Sequence, residues 1–477
     1  MCGITGILGK HASHERILNM TRAIQHRGPD NLTVHTNNEL ALGHARLSII
    51  DLSETGNQPM ASDDNSCWIV HNGEVYNYQA LRAELEQQGV TFNSQTDTEV
   101  ILKLYLSSPD EQTFLNKLDG IFAFAIWDGR KNRLLLARDH FGVKPLHYLQ
   151  DGQTFMFGSE VKSLLASGLY TPAVNYQALH DSLNVRYIPG DNTLFEGIKR
   201  LRPGHFMTVE ATSLRPVERQ YYNLAEHVSQ SSAGTLNEIV DGIGTHLHNA
   251  VKHQLVADVD VGVYLSGGLD SSSLLAHNAR LRGNNVPTFT LDFHSEVDET
   301  PDAALLASHY HTDHHVFDMK SDPLTAMEEV IWHIEEPKIN ALQGYLLAQQ
   351  TAKHVKVVHG GLGGDELFAG YQYHRYMAQL GGIHQMLRPL GGLLRMVGNG
   401  LYATQSNFLP MSWDERRRGL EMGLSVGDPV AAYLIPRNAW DMHSANSRRI
   451  YHANHNQNDL LPVRRHFDSL FTERDGP

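Results

Sequence analysis

The chain has 477 residues, 41% hydrophobic and 19% charged, with 39 Lys+Arg against 53 Asp+Glu for a formal charge of −14. The composition is globular, with material for two or three buried cores. Its acidity excludes a protein that holds a nucleic-acid backbone by neutralising phosphates. Two cysteines, Cys2 and Cys67, exclude a disulfide framework and point to a reducing compartment. There is no charged-then-apolar leader pattern and no apolar run near ~18 residues, so a cytoplasmic protein with no membrane partner is expected.

In chain order, the first half alternates short β-type segments with turns: ELALGHARLSII (39–50), CWIVHNGEVYN (67–77), GIFAFAIWD (120–128), RLLLARD (133–139) and TFMFGSE (154–160). QALRAELEQQG (79–89) and DTEVILKLYL (97–106) carry helical spacing. The pattern predicts an α+β sandwich of antiparallel sheets. After the turn at Pro203-Gly204, HFMTVE (205–210) reads as the last strand of this half. The polar stretch His227–Glu238 reads as a linker. A helix then leads to VGVYL (261–265), followed by SGGLDSSSLLAHNA, VPTFTLDF and VKVVHG. Strand, glycine loop and helix in series predict an α/β parallel sheet. Beyond about Leu380 the chain shows no strong strand signal, and helices and loops are expected there.

Three sets of residues carry chemistry. SGGLDSS (Ser266–Ser272) lies between a strand and a helix. There Gly267 and Gly268 let backbone N–H groups face an anion at a helix N-terminus. Ser266 and Ser271 can donate to phosphate, and Asp270 can hold Mg2+. A plain glycine turn with a capped helix is the competing reading. GGLGGDELFAGY (Gly360–Tyr371) places Asp365 and Glu366 after a second strand–glycine turn, with Asp365 a candidate second Mg2+ ligand. Both loops would sit at the carboxyl ends of strands, where open α/β sheets bind ligands.

The third set is N-terminal. If Met1 is removed, Cys2 carries a thiol and a free α-amino group, whose pKa of ~7.7–8.0 suits a general base. Arg46 offers a guanidinium for a carboxylate. Asn72 and the Gly73 N–H offer oxyanion donors, and Asp97 a partner for an ammonium group. Together they suit glutamine. Taken singly, Arg46 reads as a surface charge, Asn72-Gly73 as a hairpin turn and Asp97 as a helix cap. The His-rich HYHTDHHVFD (His309–Asp318) reads as a helix end entering a strand, not a metal site, and Cys67 as a buried strand residue.

SGGLDSS resembles the pyrophosphate loop of ATP pyrophosphatases, which cleave ATP to AMP and pyrophosphate. Cys2-Gly3-Ile4, HRGPD (26–30), RLSIID, NGEVYN, TDTEV, GIFAFAIWD, RDHFGVKPLHY (138–148) and GSEVKSLL follow the order of class II glutamine amidotransferases. With SGGLDSS and GGDELFAGY, they resemble the glutamine-hydrolysing asparagine synthetase family from Cys2 to about Tyr376. The resemblance implies an N-terminal nucleophile glutaminase at 2–222 and an ATP-dependent synthetase domain at 237–477. It implies Cys2 as nucleophile, Asn72 and Gly73 as oxyanion hole, and Arg46, Glu74 and Asp97 on glutamine. It implies ATP contacts at Leu265, Ser266, Gly267, Gly268, Asp270, Ser271, Leu291 and Gly361, with Mg2+ at Asp270 and Asp365. A carboxylic acid, aspartate by default, would be adenylated and then amidated by ammonia crossing between the domains, and the family allows a homodimer.

Three departures stand out. Leu362 occupies a position where asparagine-forming members carry glutamate. The run EEPKIN (335–340) differs from the family's acidic run. The last stretch, DLLPVRRHFDSLFTERDGP, lacks the family's later Arg-x-Pro-Phe-Leu-Asp pattern and a lysine serving adenylation, so a synthetase domain short at its C-terminus is expected. These departures keep two alternatives in view. One is a paralogue amidating a sugar acid or natural-product intermediate, and the other a glutaminase or scaffold subunit with an impaired synthetase half.

Overall fold

The computed structural model describes residues 1–228, 234–292, 299–319, 323–336, 338 and 341–371, with positions 374, 375, 430 and 434 beyond them. The chain divides into two compact units, Met1–Ala173 with Gly197–Gly361, and Val174–Glu196 with Leu362–Pro477.

The first unit opens with twelve strands: β1 (Gly3–Gly9), β2 (Asn31–Thr36), β3 (Leu40–Arg46), β4 (Met60–Ala61), β5 (Cys67–Val75), β6 (Gly120–Asp128), β7 (Arg133–Arg138), β8 (His147–Gln150), β9 (Thr154–Gly158), β10 (Lys199–Arg200), β11 (His205–Glu210) and β12 (Pro216–Gln220). They form two six-stranded antiparallel sheets, ordered β10-β8-β9-β1-β3-β2 and β12-β11-β7-β6-β5-β4.

Alternation along each strand decides the layering. On β6, Ala123, Ala125 and Trp127 join Ile4, Leu8, Leu40, Leu42, Phe155 and Phe157 in a core between the sheets. Phe122, Phe124 and Ile126 of the same strand face the other way, onto Leu81, Leu85, Val100, Ile101 and Phe114. Those residues belong to or border the helices Tyr78–Gln87, Asp97–Ser107 and Glu111–Asn116. The helix His14–Arg22 packs against β1, β2 and β3, burying Ile17 and Met20. The result is the expected α+β sandwich, with helices outside two packed sheets.

Two boundaries differ from expectation. HFMTVE is not the last strand of this half, because β12 pairs beyond it along β11. The stretch 227–238 is not all linker. The helix Leu236–Gln254 begins inside it, where Thr235 and Glu238 exchange capping-box hydrogen bonds.

Four further strands, β13 (Val261–Tyr264), β14 (Pro287–Asp292), β15 (Asp313–Asp318) and β16 (Val357–His359), form a parallel sheet in the order β15-β14-β13-β16. Val263, Leu265, Leu275, Val286, Ala303 and Ala307 fill its core with the helices Leu269–Arg282 and Thr300–Tyr310. The chain steps from β13 outward through β14 to β15, then returns to the other side of β13 as β16. The topological switch point therefore lies between β13 and β16, at the ends from which both glycine loops depart. The His-rich segment ends the helix Thr300–Tyr310 at His311, in the left-handed conformation, and enters β15 as expected. Cys67 is a fully buried β5 residue.

In the second unit, the helix Tyr176–Val185 starts at Asn175, whose side chain accepts from Ala178 N at 3.0 Å. Val185 packs on Val430. Most of the chain beyond Tyr371, with the expected tail helices and the missing C-terminal pattern, lies outside the described residues, as do Pro337, Ile339 and Asn340 of EEPKIN. No helix among the described residues is long and apolar enough to cross a membrane.

Candidate active site

Cys2 stands one residue before β1. The register Gly3↔Ala45 puts it opposite the end of β3, where Arg46 follows. Its Sγ accepts from Leu47 N at 3.4 Å, and its carbonyl accepts from Arg27 Nε at 2.9 Å. Burial pushes the thiol pKa up, opposed by the Leu47 bond. The terminal amine, here that of Met1, is pushed down to about 5, chiefly by burial. That amine belongs to the residue before Cys2, and the thiol is held in its neutral form by the same burial.

Cys2, Arg46, Gly73, Glu74 and Asp97 line one pocket, together with Leu47, Gln58, His71 and Thr98. Arg46 is held by the following loop. Its Nη1 donates to Ser53 O at 2.7 Å and Asn57 Oδ1 at 2.9 Å, and its Nη2 to Asp51 O. That leaves two of five guanidinium N–H groups for a ligand. Asp97 opens the helix Asp97–Ser107 and accepts from Val75 N at 2.9 Å. The cap of that helix is Thr96, which accepts from Glu99 N at 3.2 Å, so Asp97 is free of that duty. Burial raises the Asp97 pKa to about 6. Burial, then the neighbouring Asp97, raises that of Glu74.

Asn72 and Gly73 are no hairpin turn, since both lie within β5, paired with Ala123 and Phe122. Asn72 is fully buried, and neither its Nδ2 nor its Oδ1 has a partner. A buried amide in that state carries a desolvation cost that a substrate oxygen can relieve. Gly73 adopts φ +147°, and a Cβ there would lie 2.0 Å from Ile121 O. Only glycine lets β5 pass at this point.

The sequence motifs did not single out Gln58, His71, Thr98 and Lys144. Gln58 accepts from His71 N at 2.6 Å and donates to Thr98 Oγ1 at 3.1 Å, which lies 3.1 Å from His71 Nδ1. This network braces the pocket wall beneath Asp97. Lys144 is buried, with its pKa lowered by desolvation and supported by the charge of Glu74. It stands inside RDHFGVKPLHY, and that motif was the available signal for it.

The second cluster lies on the parallel sheet. Ser266 and Ser271 face each other, with Oγ atoms 3.0 Å apart, and Ser266 Oγ accepts from Gly268 N at 3.3 Å. Gly267 turns the loop at φ +78°, and Gly268 caps the helix Leu269–Arg282. Leu265 is buried, its N donating to Phe289 O at 2.9 Å, and Leu291 is the penultimate residue of the neighbouring β14. Gly361 approaches so closely that a Cβ would lie 3.0 Å from Asp270 Cβ. Leu265, the Ser266–Ser271 loop, Leu291 and Gly361 therefore share one end of this sheet. Asp365 opens the helix Gly364–Phe368 of the second unit, and Leu362 is 97% exposed.

Among the described residues no three His, Cys, Asp or Glu side chains gather as a metal cage. A single carboxylate such as Asp270 instead suits Mg2+ carried in on a triphosphate, which draws its other ligands from phosphate and water.

Residues 1–222 match the model of a glutamine amidotransferase domain, and residues 242–461 that of asparagine synthase. A protein of Methanocaldococcus jannaschii named putative asparagine synthetase [glutamine-hydrolyzing] 2 is 32% identical over 428 residues, 84% of this chain and 81% of that protein. Asparagine synthetase [glutamine-hydrolyzing] 1 of Bacillus subtilis is 33% identical over 79% of this chain. Amidase chyE of Penicillium rubens is 35% identical over 79% of this chain. This chain spans 60% of the length of each of the last two. Among solved structures, a Bacillus subtilis glutamine phosphoribosylpyrophosphate amidotransferase overlaps 66% of this chain and 81% of its own, at TM-score 0.37 and 17% identity. On its likeness to the Methanocaldococcus jannaschii protein over 84% of this chain and 81% of that one, and on its match to both domain models, this protein belongs to the glutamine-hydrolysing asparagine synthetase family.

Proposed function

We propose that the chain hydrolyses glutamine at Cys2, in a domain spanning 2–222, and uses the ammonia to amidate a carboxylic acid in an ATP-dependent domain spanning 237–477. The observation that carries this reading is the shared pocket of Cys2, Arg46, Gly73, Glu74 and Asp97, with the unsatisfied Asn72 amide on the same strand.

Removal of Met1 leaves an α-amine on Cys2 itself. That amine takes the Sγ proton as sulfur attacks the side-chain amide carbon of glutamine. Asn72 Nδ2 and Gly73 N–H receive the oxyanion. Arg46 holds the α-carboxylate, and Asp97 with Glu74 the α-ammonium. The C–N bond breaks, the proton goes to the departing ammonia, and water cleaves the thioester to glutamate.

In the synthetase half, the Ser266–Ser271 loop binds the phosphates of ATP, while Leu265, Leu291 and Gly361 border the adenine. The acceptor carboxylate attacks the α-phosphorus, pyrophosphate leaves, and ammonia then displaces AMP from the acyl carbon. Asp270 would hold Mg2+, which would neutralise phosphate charge when bound, and the family resemblance extends a metal-binding role to Asp365. Ammonia must pass between the sites shielded from water, where it would be protonated and lost.

Aspartate is the default acceptor. A second reading, another carboxylic acid, is favoured by the exposed Leu362 in place of a carboxylate and by the amidase among the relatives. The test is pyrophosphate release with ATP, Mg2+ and glutamine, with and without aspartate, reading asparagine alongside. Aspartate-dependent pyrophosphate with matching asparagine supports the first reading. Pyrophosphate with another acid alone supports the second, and glutamate without pyrophosphate from any acid refutes a working synthetase half.

A further inference from the structure

A line of charged side chains runs from Cys2, away from the pocket, to the segment that ends the helix Met327–Ile334. Arg27 donates from Nε to Cys2 O at 2.9 Å and from Nη1 to Glu160 Oε1 at 2.7 Å. Its Nη2 is buried without a partner, so the Cys2 carbonyl and Glu160 fix the guanidinium. Glu160 also receives Lys162 Nζ, which reaches Glu335 Oε1 at 3.2 Å. The Glu335 carboxylate accepts in addition from Val161 N and Lys162 N, both at 2.6 Å. All four side chains are at least 88% buried.

Glu335 holds a backbone conformation at φ +59° that non-glycine residues seldom adopt. Such strain persists only where surrounding contacts over-determine it. Here the Glu335 N–H donates to Ile331 O at 2.8 Å as the helix ends, and the carboxylate is held by Val161 and Lys162. A neighbouring ion pair, Arg200 with Glu336 at 2.7 Å, ties the same segment to β10 without touching the line to Cys2.

We infer that Glu335 is a positioning residue for the glutaminase nucleophile, acting on the Cys2 backbone through Lys162, Glu160 and Arg27. The consequence is that the segment after Met327–Ile334, in the synthetase half, sets the orientation of the thiol in the other half. This rests on the glutaminase reading of Cys2. A latch that only joins the halves would depend equally on Glu335 and Glu336.

The experiment compares full-length wild type, Glu335→Gln, Glu335→Asp and Glu336→Gln in steady-state glutamate release without ATP. In parallel it measures the rate of Cys2 alkylation by iodoacetamide and the thermal midpoint. Glu335→Gln should lower kcat about tenfold, since a misplaced nucleophile costs rate rather than substrate affinity. Its KM should stay within about twofold, its alkylation rate should shift, and Glu335→Asp should recover part of the loss. Glu336→Gln should stay within about twofold of wild type in kcat and alkylation. Equal effects of the two glutamine variants, or a changed KM with unchanged kcat, would overturn the inference. Should Glu335→Gln not fold, Glu335→Asp against Glu336→Gln decides by the same criteria. If wild type releases no glutamate, the glutaminase reading fails, and the alkylation rates alone decide the role of Glu335.

Discussion

Asn72 shows how one side chain can be set up for chemistry before any ligand arrives. Its amide is fully buried and both heteroatoms lack partners, so it is unspent as a donor. Asn72→Ala should lower kcat for glutamate release about 10²–10³-fold, with KM little changed, because the lost bond forms in the transition state. Steady-state kinetics on glutamine checks this. The paired Asp97 and Glu74 give a pH dependence. Burial raises Asp97 to about 6, yet binding of an ammonium group needs the carboxylate ionised. KM for glutamine should therefore rise as pH falls through about 6 and level off above it. In the empty protein the sign for stability is opposite: a raised acid pKa contributes stability below its unfolded value that is lost as pH rises through about 6. Glutamine should restore that loss, so the thermal shift it produces should grow between pH 5.5 and 7.5, and a flat shift would count against Asp97. Cys2, Arg46, Asn72 and Asp97 could be named as candidates from the sequence only as a set, since each taken singly has a plainer reading. Gln58, His71 and Thr98 could not be named. Each is an ordinary polar residue locally, and only the long-range packing of β5 against the helix Asp97–Ser107 makes them a network.

The strands of the sandwich were readable where apolar runs were strong, as on β6, whose phenylalanines and alanines then prove to face opposite layers. β12 was missed because PVERQ is a short, charged edge strand, and edge strands are polar for reasons unrelated to a core. The parallel sheet was readable from its apolar runs, but its order was not. That β16 returns beside β13 depends on which helix covers which face, a non-local matter, and it is this return that puts the Ser266–Ser271 loop beside Gly361. The loop itself tolerates little. Gly267 sits at φ +78°, and a Cβ would lie 2.7 Å from Asp302 Cβ on the next helix. Gly267→Ala should cost about 1–2 kcal/mol in backbone strain beyond the overlap. It should abolish ATP-dependent pyrophosphate release while glutamate release persists, since no residue of the Cys2 pocket touches this turn. Paired assays on one preparation check it, and a parallel fall in both activities would mean that the turn supports the whole first unit.

The two candidate sites are built on separate sheets, one at the end of β1 in an antiparallel sandwich and the other at the switch point of a parallel sheet. They share no residue, and the charged line from Cys2 ends at Glu335, which belongs to neither site. Chemistry at one is therefore removable without dismantling the other. Cys2 is the most selective place to cut, because Sγ contacts only Leu47 among its hydrogen-bonding neighbours and the fold does not lean on it. Cys2→Ala should lose glutamate release altogether. With ammonium salt as nitrogen source, acceptor-dependent pyrophosphate release should stay within about twofold of wild type under the same conditions, because the removed atom served only to generate ammonia. With glutamine as the sole nitrogen source, amide formation should stop. Loss of the ammonia-dependent reaction as well would show that the thiol, or the geometry it imposes on the Arg27 end of the line, is needed by the synthetase half.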